Sequence, residues 1–353
     1  MKRALVVCPG RGSYGAKELG TVARLAARHA QPSLPGPAPW QPTLDVADDW
    51  CVNHGLPGIS VLDAMPRFRP SQHLRSDLSS LLTTTLTMLD YQSRMAEPDA
   101  DQPWRPVAVI GNSLGWYSAL AVAGAISFVD TLRIVAATGG YQRRHGQLGR
   151  QLIYPVFDET WQIPVDPAPL DTALRAANRA GFAGPSIDLG GLMVFAGDEA
   201  GLAVLREQLP QITRGKQRYP MVLAGHSAFH SHLLAPMADA VEPTLRNVVF
   251  SPPTVPLIDG NGDTWRPIHA EPDGLRAYTL SEQITTPYDF AASLTVAMKE
   301  YAPEVIVLLG PGRSLGGAIG QILARMGWRG IRDKAGFAAV QEGETPILWT
   351  SPA

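Results

Sequence analysis

Three stretches of this 353-residue chain carry the same hydrophobic pattern. Residues 4–8, 107–110 and 305–309 are short, unbroken apolar runs, each followed by a glycine-rich turn and then by a helical spacing of apolar positions. The turns read Pro9-Gly10-Arg11-Gly12, Gly111-Asn112-Ser113-Leu114-Gly115 and Gly310-Pro311-Gly312. Continuous apolar strands of this length, alternating with helices, predict an α/β fold whose parallel sheet is covered on both faces. In such sheets ligands bind where strands end and helices begin, so the three turns are expected to converge on one site.

Between these stretches the pattern is less regular. Residues 31–42 are rich in proline and predict a surface loop, 76–95 predict a helix, and 97–106 form a polar, proline-containing approach to the second strand. The texture changes at 139–149. Strands over 151–157 and 192–196, with helices over 170–180 and 199–209, predict a small subdomain with its own sheet. The expected division is a large core of residues 1–139 and 220–353, with 140–219 inserted into it.

Composition narrows the class of protein but not its chemistry. With 45% apolar and 18% charged residues, and 30 basic against 32 acidic side chains, nothing favours nucleic acid or a membrane surface as partner. Two cysteines, Cys8 and Cys51, exclude a disulfide scaffold and fit a reducing compartment. The apolar run after Met1-Lys2-Arg3 is too short for a signal peptide, and no later run reaches the length of a membrane span. The expectation is a soluble cytoplasmic enzyme.

The second turn carries the strongest chemical signal. Gly111-Asn112-Ser113-Leu114-Gly115 fits the G-x-S-x-G nucleophile elbow, in which a sharp strand-to-helix turn lifts a serine hydroxyl above the sheet. The helix that follows aims its first N–H groups at the same place, where a developing oxyanion would want them. The motif occurs a second time, as Gly312-Arg313-Ser314-Leu315-Gly316. Chain order separates the two, because the base follows the serine in this fold type. Every histidine precedes Ser314, whereas His226, His230, His232 and His269 follow Ser113. A serine at such a turn also serves as a plain helix cap, so the motif alone does not make it a nucleophile.

Among the histidines, His230 is the favoured base. It sits just before an apolar helical pattern that would anchor it, and an imidazole titrates near neutral pH. His226 and His232 flank it, and at least one of them is expected to be an ordinary surface residue. The cluster lacks the cysteines or the H-E-x-x-H helix of a zinc site, so no metal is assigned. Spacing identifies no carboxylate third member. The first turn, Gly10-Arg11-Gly12-Ser13-Tyr14-Gly15, is a literal G-x-G-x-x-G and raises a nicotinamide-dependent oxidoreductase as a remote alternative. That reading wants an acidic residue about 20 positions on, and none occurs between Gly20 and Pro42.

Taken together, Pro9-Gly10-Arg11-Gly12-Ser13, Gly111-Asn112-Ser113-Leu114-Gly115, Ala228-Phe229-His230-Ser231 and Gly310-Pro311-Gly312 resemble the malonyl-CoA:acyl-carrier-protein transacylases. The acyltransferase domains of fatty-acid and polyketide synthases share that fold. The four motifs follow the family's order and span nearly the whole chain. The resemblance implies an α/β-hydrolase-like core with an inserted ferredoxin-like subdomain. It also implies a ping-pong reaction in which Ser113 is acylated from an acyl-CoA, with His230 as base, and the phosphopantetheine thiol of an acyl carrier protein then removes the acyl group. Backbone N–H groups of Arg11 and Leu114 would hold the oxyanion, and a backbone carbonyl near Asp289 would orient the imidazole. Asn112, Thr138 and Phe229 fall at positions expected to bind substrate. No resident cofactor or metal is implied.

Three departures from the family pattern bear on the substrate. The family's Pro-Gly-Gln-Gly has become Pro9-Gly10-Arg11-Gly12, which puts a cation at the site, and its Gly-His-Ser has become Gly111-Asn112-Ser113. Malonyl-specific members carry an arginine in the helix after the elbow, paired with the substrate's free carboxylate, and that position here is Thr138. Arg143 and Arg144 lie too far along to share its face. Losing the partner of a buried carboxylate costs several kcal/mol, which points to a monocarboxylic acyl group. Ser227-Ala228-Phe229-His230 nevertheless looks like the malonyl-type signature. Two other readings stay open: a hydrolase of acyl carrier proteins, in which water replaces the thiol, and a non-catalytic scaffold that docks a carrier or a synthase.

Overall fold

The computed structural model describes residues 1–30, 37–96 and 103–350. Residues 31–36 of the proline-rich stretch and 97–102 of the polar approach lie outside them.

The three apolar runs form the middle of one sheet. Lys2–Cys8 pairs in parallel with Trp104–Gly111 on one side and with Val305–Leu308 on the other. Leu348–Thr350 extends the sheet beyond Val305–Leu308, Leu257–Ile258 extends it beyond Trp104–Gly111, and Thr264–Trp265 closes that edge as an antiparallel strand. Ala4, Val6 and Cys8 turn to one face of the sheet, and Leu5 and Val7 to the other. All five are fully buried. A strand buried on both faces has no polar alternation, which is why these runs read as unbroken apolar sequence.

One face packs against the helices Ser76–Ala96, Gly115–Val122 and Phe128–His145, the other against Phe290–Tyr301 and Gly316–Met326. The helix Ser76–Ala96 is unusual in burying hydroxyls as well as leucines, including Ser80, Thr83, Thr84 and Thr87. Some of these tie down the turns. The Thr87 hydroxyl donates to the Gly310 carbonyl at 2.8 Å, and the Gly310 N–H donates to the Asp90 carboxylate at 2.8 Å. Ser80 receives a hydrogen bond from the Arg11 guanidinium. A polar helix thus holds the first and third glycine-rich turns in register with the second.

The smaller sheet has the split β-α-β form. In chain order it runs Arg150–Pro155, helix Pro167–Ala180, Ala183–Asp188, Leu192–Gly197, helix Glu199–Gln208 and Met221–Val222. Its neighbours are antiparallel, in the spatial order fourth, first, third, second, which is the ferredoxin-like arrangement. A further strand from the core, Tyr288–Asp289, adds to its edge in parallel with Ile187–Asp188. The chain is therefore an α/β-hydrolase-like core with a ferredoxin-like subdomain set into it. Two strands of the small sheet, Met221–Val222 and Tyr288–Asp289, come from beyond residue 219.

Candidate active site

The second turn is built as an elbow. Trp104–Gly111 ends, the chain reverses at Ser113, and the helix Gly115–Val122 leaves at once. Ser113 holds φ at +54°, in the left-handed region that a non-glycine residue occupies only when its surroundings impose it. Those surroundings are tight. A Cβ on Gly111 would run into the main chain of Gly115, and one on Gly115 into the Cys8 carbonyl. The motif's two glycines are thus required by the close approach of helix and strand. The Tyr288 hydroxyl braces the turn by donating to the Gly111 carbonyl at 2.7 Å. Ser314 shows none of this: it is exposed, it is absent from the residues with positive φ, and no histidine lines the separate cavity it borders.

His230 meets Ser113 from the other side of the cleft. Its Nε2 lies 2.7 Å from the Ser113 Oγ, and its Nδ1 lies 2.7 Å from the main-chain carbonyl of Gln283. A carbonyl only accepts, so Nδ1 carries the proton and Nε2 presents a lone pair to the serine O–H. The ring is held from its backbone as well, the His230 N–H donating to Ile284 O at 2.8 Å. His230 is itself at a φ of +59° and almost wholly buried. Preceding it, Ala228 is tied to Leu148 by a main-chain hydrogen bond, and Ser227 accepts from the Leu148 N–H.

The orienting carbonyl corrects the expectation placed at Asp289. Asp289 faces elsewhere: its side chain caps the helix Phe290–Tyr301 by accepting from Ala292 N–H, its N–H donates to Gly260 O, and its carbonyl accepts from the Ser293 hydroxyl. Gln283 does more than supply a carbonyl. Its side-chain Nε2 donates to the Ser113 carbonyl at 3.1 Å, and its Oε1 accepts from the Tyr117 hydroxyl at 2.9 Å. One residue therefore fixes both partners of the pair. It follows directly on a π-helical turn, Tyr278–Glu282, a distortion common at functional positions.

Burial governs the imidazole's protonation. The His230 pKa is pushed down to about 4, mainly because burial disfavours the imidazolium; the Gln283 carbonyl favours the charged form and offsets part of this. His230 is thus a free base at neutral pH. A reaction that uses it as base should hold its kcat/KM level from about pH 8 to about pH 5.5 and lose it only nearer pH 4. An acid limb centred near the ordinary imidazole value of about 6.5 would contradict this. The sign for stability is the same. The unfolded chain takes up this proton near pH 6.5, the folded chain refuses it until about pH 4, so stability falls as pH drops across that window.

Around the pair lies a cavity of about 30 Å³, lined by Arg11, Ser113, Leu114, Tyr117, Thr138, Gln151, His226, Phe229, His230 and Gln283. It has room for only a few waters or a short acyl group. Leu114 and Arg11 each stand at the start of a helical segment, where main-chain N–H groups lack intrahelical acceptors. Thr138 and Phe229 are among the residues that line the cavity. Thr138 spends its hydroxyl on the carbonyls of Ile134 and Val135 in its own helix.

Asn112 is a correction. It is absent from the lining, and its buried side chain is taken up by close packing against Gly10 of the first turn.

Gln151, Tyr117 and Gln283 are lining residues that sequence reasoning did not single out, and His226, expected only to flank the base, joins them. His226 donates through Nδ1 to the Gln151 Oε1 at 3.1 Å, and its pKa is lowered to about 3 by burial, with Arg11 and His230 adding to the shift. Gln151 also donates to Ser186 and to the Phe229 carbonyl, so the inserted sheet steadies the loop that carries His230. A signal existed for two of them. Tyr117 lies one helical turn beyond Ser113, and Gln151 is a polar side chain in an otherwise apolar strand. His232 is exposed and meets the edge of the Phe182 ring. Among the described residues no three His, Cys, Asp or Glu side chains are placed to share a metal ion. None of the described helices is long and apolar enough to cross a membrane. The first turn forms a 3-10 segment, Arg11–Ser13, and the first α-helix begins only at Thr21, so the helix that a dinucleotide fingerprint opens is missing.

No protein-family model matches the chain. Individual proteins do. The chain is 27% identical over 240 residues to the malonyl CoA-acyl carrier protein transacylase of Haemophilus influenzae, covering 67% of this chain and 72% of that one. The chain is similar to the malonyl-CoA:acyl-carrier-protein transacylases over two thirds of its length. Solved structures share the family's fold. The acyl-carrier-protein S-malonyltransferase of Burkholderia pseudomallei superposes with a TM-score of 0.69 at 22% identity, over 91% of this chain and 93% of that one. A malonyl-transacylase in complex with a type II polyketide synthase acyl-carrier protein gives 0.70 at 21% identity, over 92% and 93%.

Proposed function

We propose that the chain is an acyl-CoA:acyl-carrier-protein S-acyltransferase that works through an acyl-serine on Ser113. The observation that carries this reading is the 2.7 Å approach of the Ser113 hydroxyl to an imidazole nitrogen whose other nitrogen is pinned by a carbonyl. A neutral, oriented imidazole beside a serine hydroxyl is the arrangement that nucleophilic catalysis requires.

In the first half-reaction His230 Nε2 takes the hydroxyl proton as Ser113 Oγ attacks the thioester carbonyl. Main-chain N–H groups of Leu114 and Arg11 receive the oxyanion. The intermediate collapses, coenzyme A leaves as its thiol with the proton from His230, and the acyl group stays on the serine. The carrier's phosphopantetheine thiol then gives its proton to His230 and attacks the acyl-serine, which restores the free hydroxyl. Coenzyme A and the carrier are substrates here, and the chemistry asks for no resident cofactor. In this reading residues 140–219 are an insertion that supplies one wall of the site through Gln151, with Thr138 and Phe229 bounding the acyl group. Similarity to carrier-protein transacylases, including one bound to its carrier, supports an acyl carrier protein of a fatty-acid or polyketide synthase as the acceptor.

The test is the fate of the acyl group. Acylated enzyme mixed with a holo acyl carrier protein should pass its acyl group to the carrier faster than it loses it to buffer as free acid. Free acid as the main product, with or without carrier, would replace the transferase with a hydrolase of the same mechanism.

A further inference from the structure

Arg11 is a partly buried cation at the cavity wall whose hydrogen-bond partners are neutral. Its Nη1 donates to the Gln142 side-chain oxygen at 3.2 Å and toward the Gly225 carbonyl at 3.4 Å, and its Nη2 donates to the Ser80 hydroxyl at 2.9 Å. Its guanidinium carbon lies over the Phe229 ring, 5.5 Å from the ring centre. None of the ion pairs among the described residues includes it. Asp77, the carboxylate whose field it feels, is already held by Arg75 at 2.7 Å and Arg143 at 3.0 Å. Burial lowers the Arg11 pKa to about 10, so the group is still charged at neutral pH.

Nothing else in the cavity balances that charge. His226 and His230 are neutral at pH 7, burial keeps the Tyr117 phenol protonated, and the remaining lining is made of two amides, the Ser113 hydroxyl, a threonine, a leucine and a phenylalanine. A buried charge is costly unless it is paired, and a planar guanidinium pairs best with a carboxylate. The position of the cation is also informative. Gln142, its partner, lies one helical turn beyond Thr138 on the same face of Phe128–His145, and Thr138 lines the same cavity. The arginine's stem begins in the first turn, beside the nucleophile, and its charge is delivered to the neighbourhood of Thr138.

We propose that Arg11 is the specificity-determining residue of this site, its guanidinium taking the free carboxylate of a short dicarboxylic acyl group carried to Ser113. The proposal rests on the acyl-serine reading above, and it reverses the monocarboxylic expectation drawn from Thr138 alone. The long Arg11–Gly225 contact is the one that an incoming carboxylate would replace. A cavity of about 30 Å³ suits an acyl group with few atoms beyond its carbonyl, and a longer apolar chain would have to bury methylenes against a charge.

The experiment compares malonyl-CoA with acetyl-CoA as donors for the wild type and for Arg11→Gln and Arg11→Lys. The wild type is expected to favour malonyl-CoA in kcat/KM for loading. Arg11→Gln should lower the malonyl-to-acetyl ratio by about 100-fold, the scale of losing one partner of a buried charge pair, and Arg11→Lys should restore part of it. Taking the ratio cancels any loss common to both donors, including a disturbed fold or oxyanion contact. A ratio unchanged in Arg11→Gln, or a wild type that favours acetyl-CoA, would overturn the proposal. Affinity separates this failure from a failure of the acyl-serine reading. In Ser113→Ala protein, where no acylation can occur, malonyl-CoA should bind more tightly than acetyl-CoA, and adding Arg11→Gln should abolish the difference. Equal binding of the two donors would sink the role of Arg11 even if loading proceeds through another residue.

Discussion

Ser113→Ala should abolish acyl loading, with a loss of roughly a million-fold, the scale seen when the serine of a serine–histidine pair is removed. The expectation follows from what the substitution leaves intact. Alanine keeps the main-chain N–H groups of Leu114 and Arg11, the elbow and the Gln283 contact to the residue 113 carbonyl, and removes only the atom that would bond to the acyl group. The partner serine at 314 supplies the control. Ser314 has a similar local sequence but is exposed, with ordinary backbone and no histidine along its cavity, so Ser314→Ala should load at the wild-type rate. Intact-protein mass after incubation with acyl-CoA measures both. Equal loss in the two variants would undo the assignment of the nucleophile.

His230→Ala should be nearly as damaging, lowering loading by at least about 10⁴-fold. No other lining side chain takes over the role. His226, the nearest alternative, spends its Nδ1 on Gln151 and has a pKa of about 3, which makes it a poorer proton acceptor than His230. The substitution also strips the Gln283 carbonyl of its donor, which costs about 1–3 kcal/mol for a buried acceptor. A modest fall in thermal stability should therefore accompany the loss of activity. Loading measured alongside a thermal melt separates the two effects. A folded His230→Ala protein that still loads at more than a tenth of the wild-type rate would show that another group acts as base.

The parts of this site that were legible in sequence are those made by local pattern. An apolar strand followed by G-x-S-x-G states its own geometry, and the Gly111 and Gly115 contacts give the reason: neither position admits a Cβ. His230 could be chosen because chain order and the helix after it narrowed the field. Gln283 could not, because the atom that orients the imidazole is a main-chain carbonyl, which every residue possesses; only tertiary folding decides which one arrives. The carbonyl expected near Asp289 is supplied six positions earlier in the chain, by Gln283. The strand Ala183–Asp188 was missed for a different reason. It contains Gly184 and Pro185, and its pairing with Leu192–Gly197 shifts register between Pro185 and Ile187, so it lacks the run of branched residues that marks a strand.

Arg11 shows the same limit from the side of charge. The sequence places a cation in the first turn, but not its reach across to Gln142 beside Thr138. The helix after the elbow lacks an arginine at Thr138, whereas the fold brings one in from another element. What a cavity binds depends on which charges arrive in it, not on which segment they come from.

Where the acyl group resides decides whether Ser113 carries it to the acceptor. The protein would be incubated with malonyl-CoA and digested, the peptide carrying the added mass identified, and a second sample of the acylated protein mixed with a holo acyl carrier protein. The prediction is a malonyl adduct confined to the peptide containing Ser113, which disappears as the same mass appears on the carrier. An adduct on any other residue, or carrier acylated with no enzyme adduct ever formed, would contradict it.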